Sequence, residues 1–426
     1  MFDGDCASPS TSVRRLWRAS AVRVVAALMT LAVSRTAAGQ TTAPPPAQPV
    51  AGWNEGFFLQ TPNGDNRLQI GFVGQTDGRF ALDDPLPTIN TFVLRKARPT
   101  FTGRVAKYFD FKFTGELAGS PTLLDAYFDI RFSPKLRLRS GKDKTPVGYE
   151  LLINDPALVF PERSLVSLLV PNRDVGFQAQ GELVGGKLVY AGGIFNGNPV
   201  DGSSSTTDVD VNSGKDLAGR VVFYPFRSGS EPQHLLANFG FHLGGSTGDQ
   251  SGALPTFRTT AGQTYFAFPA TVTADGTRNR VSPAVFLYAE GFGGFAEYAR
   301  TTQDILSSGT PFTVTNQAWG VTATYVLTGE STSERGVKPR RPFDPAAGTW
   351  GAVQVAARYA ELTLDGQLFD TGIAGATASR KTQQMTFDTN WYLNNYVKFY
   401  GTFERFDFSG TRASENLILF RAQLAF

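Results

Sequence analysis

The sequence predicts an all-β protein, a sixteen-stranded antiparallel transmembrane β-barrel. The first observation is an alternation of apolar and polar residues that recurs in sixteen segments. The second is the composition, because the chain has 45 glycines and 35 phenylalanines but no apolar run long enough for a transmembrane helix. The third is an N-terminus with the features of a secretory signal. Together these observations are typical of an outer-membrane barrel.

Residues 1–39 are expected to be a signal peptide. Four arginines precede a short apolar stretch, Val24–Val33, and small residues follow at Thr36–Gln40. Ten apolar residues are too few to span a bilayer as a helix, which needs about 20, although an uncleaved anchor is an alternative. Residues 40–55 are expected to be a flexible, proline-rich linker, and 56–426 the barrel.

Removal of the signal leaves a neutral chain. Five of the 40 Lys and Arg residues and two of the 37 Asp and Glu residues precede residue 40, so 35 of each remain. We therefore expect no nucleic-acid partner, and any preference for an anion must come from local placement of charge. The single cysteine, Cys6, leaves with the signal, which excludes disulfides and cysteine metal sites from the mature chain.

The strands are predicted from the parity of apolar positions. The last one ends at Phe426, which is expected to face lipid and to be recognised by the barrel-assembly machinery. A soluble β-sandwich is the alternative. The sixteen predicted strands are 67–80, 92–105, 108–117, 123–132, 135–139, 173–184, 187–197, 216–225, 234–245, 280–290, 293–301, 315–328, 350–363, 380–393, 396–408 and 416–426.

Short turns alternate with longer loops along the chain, as in barrels with short periplasmic turns and long external loops. The segment 141–177 falls at the third long-loop position and breaks the alternation with prolines and an apolar run, Leu165–Val170. Loops this long are usually functional or disordered, and its aliphatic content favours a folded segment that lies inside the barrel and narrows the pore. The connection 329–349 is an exception, because it is long but falls on the periplasmic side.

Several motifs occur along nearly the whole mature chain, including IGFVGQTDGRF (70–80), FVLRKAR (92–98), GKDKTPVGYE (141–150), PERS (161–164), NRDVG (172–176), GGIFNG (192–197) and NWYLNN (390–395). In this order they resemble the phosphate-selective porin O and P family. The resemblance implies a sixteen-stranded outer-membrane barrel, commonly trimeric, whose third loop folds into the lumen and whose Arg and Lys residues pass anions such as phosphate.

Basic residues on the polar face are the candidate pore residues, because charges at a narrow, low-dielectric passage select ions. Arginine suits oxyanions, since its planar fork binds two oxygens. By the resemblance, Lys144, Arg163 and Arg173 fall on typical family positions, and Arg95, Lys96 and Arg98 form a basic cluster of unresolved orientation. Alternatively, each arginine only pairs with a nearby carboxylate. The candidate anion-binding residues are Arg79, Arg131, Arg137, Arg139, Lys142, Lys144, Arg163, Arg173 and Arg358.

The expected function is passive diffusion of small anions, such as phosphate or polyphosphate, through a trimer in the lipid of the bacterial outer membrane. Two alternatives remain, a general non-selective porin and a plugged surface barrel that acts as a binding protein or adhesin.

We expect no enzyme activity, cofactor or metal. A hydrolase would need a nucleophile with a base, typically Ser with His. The chain has two histidines, His234 and His242, both on one predicted strand and neither near a nucleophile motif.

Overall fold

A computed structural model of the chain describes residues 48–82, 90–197, 212–227 and 236–426. The predicted signal peptide at 1–39 lies outside the described residues, as do His234 and residues 40–47 of the predicted linker. Within the described part, no helix has the length and apolar character to cross a bilayer.

The described chain forms twenty-two strands and a few short helices. Two helices, α1 (Tyr149–Leu152) and α2 (Gln367–Asp370), and two 3₁₀ turns, Asp155–Ala157 and Leu165–Leu169, lie in the connections. The strands are β1 Val50–Trp53, β2 Phe57–Gln60, β3 Arg67–Ala81, β4 Thr91–Val105, β5 Phe109–Glu116, β6 Thr122–Ser133, β7 Leu136–Lys144, β8 Arg173–Leu183, β9 Leu188–Phe195, β10 Asp216–Phe223, β11 Phe239–Gly252, β12 Thr256–Arg258, β13 Thr264–Ala267, β14 Val272–Ala289, β15 Phe292–Ser307, β16 Thr310–Val326, β17 Thr332–Ser333, β18 Gly336–Val337, β19 Ala352–Thr363, β20 Lys381–Tyr392, β21 Val397–Phe408 and β22 Glu415–Ala425.

Sixteen of these strands pair in chain order and close into a barrel. They are β3 to β11, β14 to β16 and β19 to β22, and each pairs antiparallel with the next. The last strand closes the barrel by pairing with the first, from Leu417 opposite Ala81 to Ala425 opposite Val73. The predicted fold class and strand number are confirmed. A closed sheet pairs its backbone groups within the protein, as a bilayer requires.

The two faces of the barrel wall differ in chemistry. In β20, Gln384, Thr386 and Asp388 are buried, whereas Met385 and Phe387, between them, are 40% and 50% exposed. The same alternation recurs in the other long strands. The exposed apolar face is the one that suits lipid, and the polar face lies inside.

Five strands extend at least five residues beyond their predicted bounds. The structure extends β7, β11 and β15 at their C-terminal ends and β14 and β16 at their N-terminal ends, which are all on the side of the long loops. There the outward residues become polar, for example Asn279, Thr302 and Thr313. The alternation of apolar and polar side chains ends at the edge of the lipid, whereas the hydrogen-bonded pairing of the strands continues beyond it.

A hairpin of β1 and β2 precedes the barrel and corrects part of the predicted linker. Residues 50–53 of the predicted flexible segment 40–55 form β1, which pairs with β2, and β2 pairs with Arg67–Ile70 of β3. Strand β22 covers β3 only from Val73 onwards. The start of β3 is therefore an open sheet edge, and β2 occupies it.

Candidate pore constriction

The segment between β7 and β8, residues 145–172, is anchored to the buried face of the barrel wall by its apolar part. Leu165, Val166 and Leu169 are buried in a cluster with Ala318 of β16 and Ala360 of β19. The turn Leu165–Leu169 contacts β15, β16 and β19. The apolar run within this segment therefore docks the chain against one side of the barrel.

Polar contacts anchor the first half of the segment. The carboxylate of Glu297 on β15 accepts hydrogen bonds from the backbone N–H groups of Tyr149, at 2.7 Å, and Glu150, at 3.0 Å. Arg358 of β19 donates to Glu150 Oε1 at 3.2 Å and to the carbonyl of Glu162 at 3.0 Å. The two bonds to Glu297 satisfy free N–H groups at the start of α1, and the two bonds from Arg358 hold Glu150 and Glu162 against the wall.

Side chains of β20 to β22 hold the middle of the segment through its carbonyl groups. Lys398 Nζ donates to the carbonyl of Leu158 at 2.8 Å, and Asn390 Nδ2 to that of Val159 at 2.9 Å. Gln423 Nε2 donates to the carbonyl of Pro156 at 3.1 Å. The anchors on the barrel wall thus run from β15 to β22.

The charged side chains of the segment meet the basic cluster of β4. Lys96 Nζ lies 2.8 Å from Asp155 Oδ2, and Arg98 Nη1 also bonds that oxygen. Arg95 Nε lies 2.7 Å from Glu162 Oε1. All three side chains reach the segment because a β-bulge interrupts the strand, since Gln75 pairs with Lys96 and Thr76 with Leu94. Arg95 is the extra residue of the bulge.

Two carboxylates of the segment, Asp155 and Glu162, remain ionised. Burial alone would raise the pKa of Asp155, but the charges of Lys96, Arg163, Lys144 and Arg98 outweigh it and hold the pKa well below its usual value of 3.8.

Burial alone would also raise the pKa of Glu162, but the charges of Arg95 and Arg421 outweigh it and hold the pKa well below its usual value of 4.5. Arg421 Nη2 lies 2.9 Å from Glu162 Oε1. Asp155 and Glu162 are therefore permanent negative charges, and each lies close to several cations.

Two cavities of about 520 and 440 Å³ meet at this point. Arg98, Asp155 and Arg173 line both. A water molecule occupies about 30 Å³ of liquid, so each cavity has room for a hydrated small ion. The cationic side chains that line one cavity or both are Arg95, Lys96, Arg98, Lys112, Arg139, Lys144, Arg163, Arg173, Arg220 and Arg258, and the carboxylates are Glu116, Asp125, Asp143, Asp155 and Glu162.

Four of the nine candidate residues line these cavities, namely Arg139, Lys144, Arg163 and Arg173. Each has a partner. Arg173 Nε lies 2.6 Å from Asp125, and Arg139 Nε lies 2.7 Å from Asp129.

The other two cations hold the segment itself. Lys144 Nζ donates to the carbonyls of Leu151 and Ile153, and Arg163 donates to Asp155 at 2.6 Å. Lys144 and Arg163 are therefore braces of the segment as well as lining residues.

The other five candidates lie elsewhere. Arg79 pairs with Asp77 at 2.9 Å and donates to the carbonyl of Thr260. Arg358 is buried under the segment, and Lys142 is buried in the wall. Arg131 and Arg137 lie near the short turns at the far end, where Arg131 bonds the carbonyl of Lys107. Parity places a side chain on the inner face but not at a given depth in the barrel.

Several lining residues were missed or left unassigned by the sequence. The bulge shifts the parity of β4, so alternation could not orient Arg95, Lys96 and Arg98. Lys112 and Arg220 follow normal alternation and could have been included. Arg258 lies in the hairpin β12–β13. This hairpin is separate from the sixteen barrel strands, so their alternation could not indicate the position of Arg258.

The fold defines the class of protein. A closed sixteen-stranded barrel with an apolar outer face and a polar interior is an outer-membrane barrel of the channel-forming type. The chain belongs to the phosphate-selective porin O and P family, whose model matches residues 68–426. This match confirms the resemblance, and it locates the protein in the bacterial outer membrane. The family and the fold are those of a channel rather than an enzyme.

Solved structures share the fold at low sequence identity. The outer-membrane channel DcaP of Acinetobacter baumannii has 12% identity and a TM-score of 0.55, over 86% of this chain and 99% of that one. An anion-selective porin from Comamonas acidovorans has 11% identity and a TM-score of 0.52, over 85% and 100%. The outer-membrane protein OmpT of Vibrio cholerae in a trimer form has 12% identity and a TM-score of 0.54, over 85% and 99%. No curated protein sequence matches this chain.

Proposed function

We propose that the protein is a passive channel for small anions, in which the segment 145–172 lies in the lumen and narrows the pore. The observation that carries this proposal is the lining of the two cavities around Asp155. Ten cationic side chains and five carboxylates line them in the described residues, an excess of five positive charges. Clefts with low-dielectric walls focus such a field and raise the local concentration of counter-ions.

Phosphate and polyphosphate are candidate solutes, because arginine forks match oxyanion geometry and the family carries phosphate in its description. Homotrimerisation is part of the proposal, supported by the trimer form of OmpT. The mass of the purified complex in detergent tests this second point. A monomer mass would contradict the trimer without affecting the proposed pore.

Reversal potentials of the refolded protein in planar bilayers, under a potassium chloride gradient, test the anion preference. We expect a higher permeability for chloride than for potassium. The ratio of the two permeabilities should be lower in Arg98→Gln and in Arg173→Gln, because both side chains line both cavities. Arg104→Gln is the matched control, since Arg104 lies on the same strand but pairs with Asp110 at 2.8 Å outside the cavities. Lys144 and Arg163 are less suitable targets, because their loss also loosens the segment.

The alternatives give different results. Equal permeability of both ions in the unaltered protein would indicate a general porin. The absence of any steady conductance from a folded barrel would indicate a plugged binding protein or adhesin. Either result would overturn the proposal.

A further inference from the structure

Asp155 lies at the junction of the two cavities and is bonded on several sides. Its Oδ2 accepts from Lys96 Nζ at 2.8 Å and from Arg98, and its Oδ1 accepts from Arg163 Nη2 at 2.6 Å. Its side chain is 10% exposed. Glu116 also bonds Arg98, at 2.5 Å, but it lines only one cavity. Asp155 is therefore the carboxylate that pairs with three basic residues where the two cavities meet.

We propose that Asp155 determines the specificity of the channel by acting as a built-in counter-anion. Its carboxylate occupies the place that an anionic solute would take between Lys96, Arg98 and Arg163. The site then binds a multivalent oxyanion such as phosphate only weakly, so that phosphate leaves as readily as it enters. This inference rests on the proposed anion-channel function and adds the residue that limits the affinity for phosphate.

The geometry supports competition between the carboxylate and a solute. Charge-assisted bonds from lysine and arginine to a carboxylate or to a phosphate have the same length, about 2.7–2.9 Å. The two bond lengths at Asp155, 2.6 and 2.8 Å, show that its oxygens already fill these donor positions. A phosphate must displace Asp155 or bind beside it.

The charge of Asp155 is constant under ordinary conditions. The surrounding cations hold its pKa well below its usual value despite burial. A divalent phosphate beside this carboxylate is repelled about twice as strongly as chloride, because the Coulomb energy is proportional to charge. Conduction also requires that an ion leave as readily as it enters. A resident carboxylate meets both conditions by weakening the binding of multivalent anions.

The test is the inhibition of the chloride current by added phosphate, in Asp155→Asn. The amide keeps the shape of the side chain and removes the charge. We expect the half-inhibitory phosphate concentration to fall at least tenfold compared with the unaltered protein. Asp110→Asn is the matched control, because Asp110 pairs with Arg104 at 2.8 Å and Arg131 at 3.8 Å and lines neither cavity. It should leave phosphate inhibition unchanged.

A second variant covers the case in which Asp155→Asn does not fold. Lys96→Gln removes one cation and keeps Asp155, so its half-inhibitory concentration should rise. The double variant Lys96→Gln/Asp155→Asn, if folded, should return towards the unaltered value, because the local charge is restored.

The outcomes separate the two proposals. Unchanged phosphate inhibition in Asp155→Asn, with chloride selectivity retained, would overturn the role of Asp155 and leave the anion channel standing. If Asp155→Asn cannot be refolded, unchanged inhibition in Lys96→Gln would overturn it. If the unaltered protein shows no preference for chloride over potassium, the proposed function itself is overturned.

Discussion

Arg358 illustrates how far pairing governs the arginines on the inner face. Its side chain is 1% exposed and lies 3.2 Å from Glu150 and 3.5 Å from Glu404. Its guanidinium also lies over the ring of Phe160, at 4.3 Å. The sequence predicted a pore residue here, but the structure places the arginine in a buried network between the wall and the segment.

We expect Arg358→Met to be strongly destabilising. The change leaves Glu150 and Glu404 buried without a cation between them, and breaking a buried pair costs about 3–5 kcal/mol. The free energy of unfolding in urea measures this loss. Arg137→Met is the control, because Arg137 is 41% exposed and 3.5 Å from Asp129, and exposed pairs contribute about 0–1 kcal/mol. Equal losses in the two variants would contradict the argument.

At the scale of elements, the connection 327–351, between β16 and β19, has a contact with the segment. Its small hairpin, β17–β18, is tied to the wall where Thr332 N donates to the carbonyl of Glu290 at 2.7 Å and Val337 is buried beside Ala352. At the turn of the hairpin, Glu334 Oε1 accepts a hydrogen bond from Tyr149 Oη at 2.9 Å. The long connection that departed from the loop pattern thus supports α1.

Loss of this contact should make the segment more mobile. A hydrogen bond to a charged group contributes about 1.5–3 kcal/mol, so Tyr149→Phe or Glu334→Ala should increase the time spent in a displaced state about tenfold or more. Open-channel current noise and closures in single-channel recordings measure this effect.

A double-mutant cycle identifies the bond as the cause. The double variant Tyr149→Phe/Glu334→Ala should be no noisier than either single variant, because both remove the same interaction. Additive increases would show that the two residues act independently.

At the scale of the whole molecule, the N-terminal hairpin covers the seam of the barrel. The Trp53 ring lies 5.2 Å from that of Phe426 and 5.7 Å from that of Tyr396, and its indole N–H donates to Tyr396 Oη at 2.8 Å. The backbone of Phe426 pairs with Phe72 of the first barrel strand. The chain terminus is therefore held from both sides. Recognition of Phe426 by the assembly machinery stays a prediction.

Trp53→Ala should lower the thermal stability of the folded barrel. Each aromatic pair contributes about 0.5–1.5 kcal/mol beyond its buried area, and Trp53 makes three, with Phe57, Tyr396 and Phe426. The midpoint of the loss of β-sheet circular dichroism in detergent measures it. Trp350→Ala is the control, because Trp350 is 65% exposed and has one ring contact, with Phe343. An equal shift in both variants would exclude a particular role for the seam.

The sequence by itself determined the class of fold, the number of strands and the position of the unusual segment in the strand order. These properties follow from the period-2 alternation, which each strand carries locally because one face meets lipid and the other meets water. The equal numbers of basic and acidic residues after the predicted signal peptide also indicated that any selectivity is local.

Only the tertiary structure decided which cations lie together around Asp155 and Glu162. Lys96 and Asp155 are 59 residues apart, and Arg421 and Glu162 are 259 apart, so no local pattern couples them. A single bulge in β4 changed which basic side chains reach the segment. Pairing and burial depend on contacts between distant parts of the chain, and these contacts determine the charge of the cavity lining.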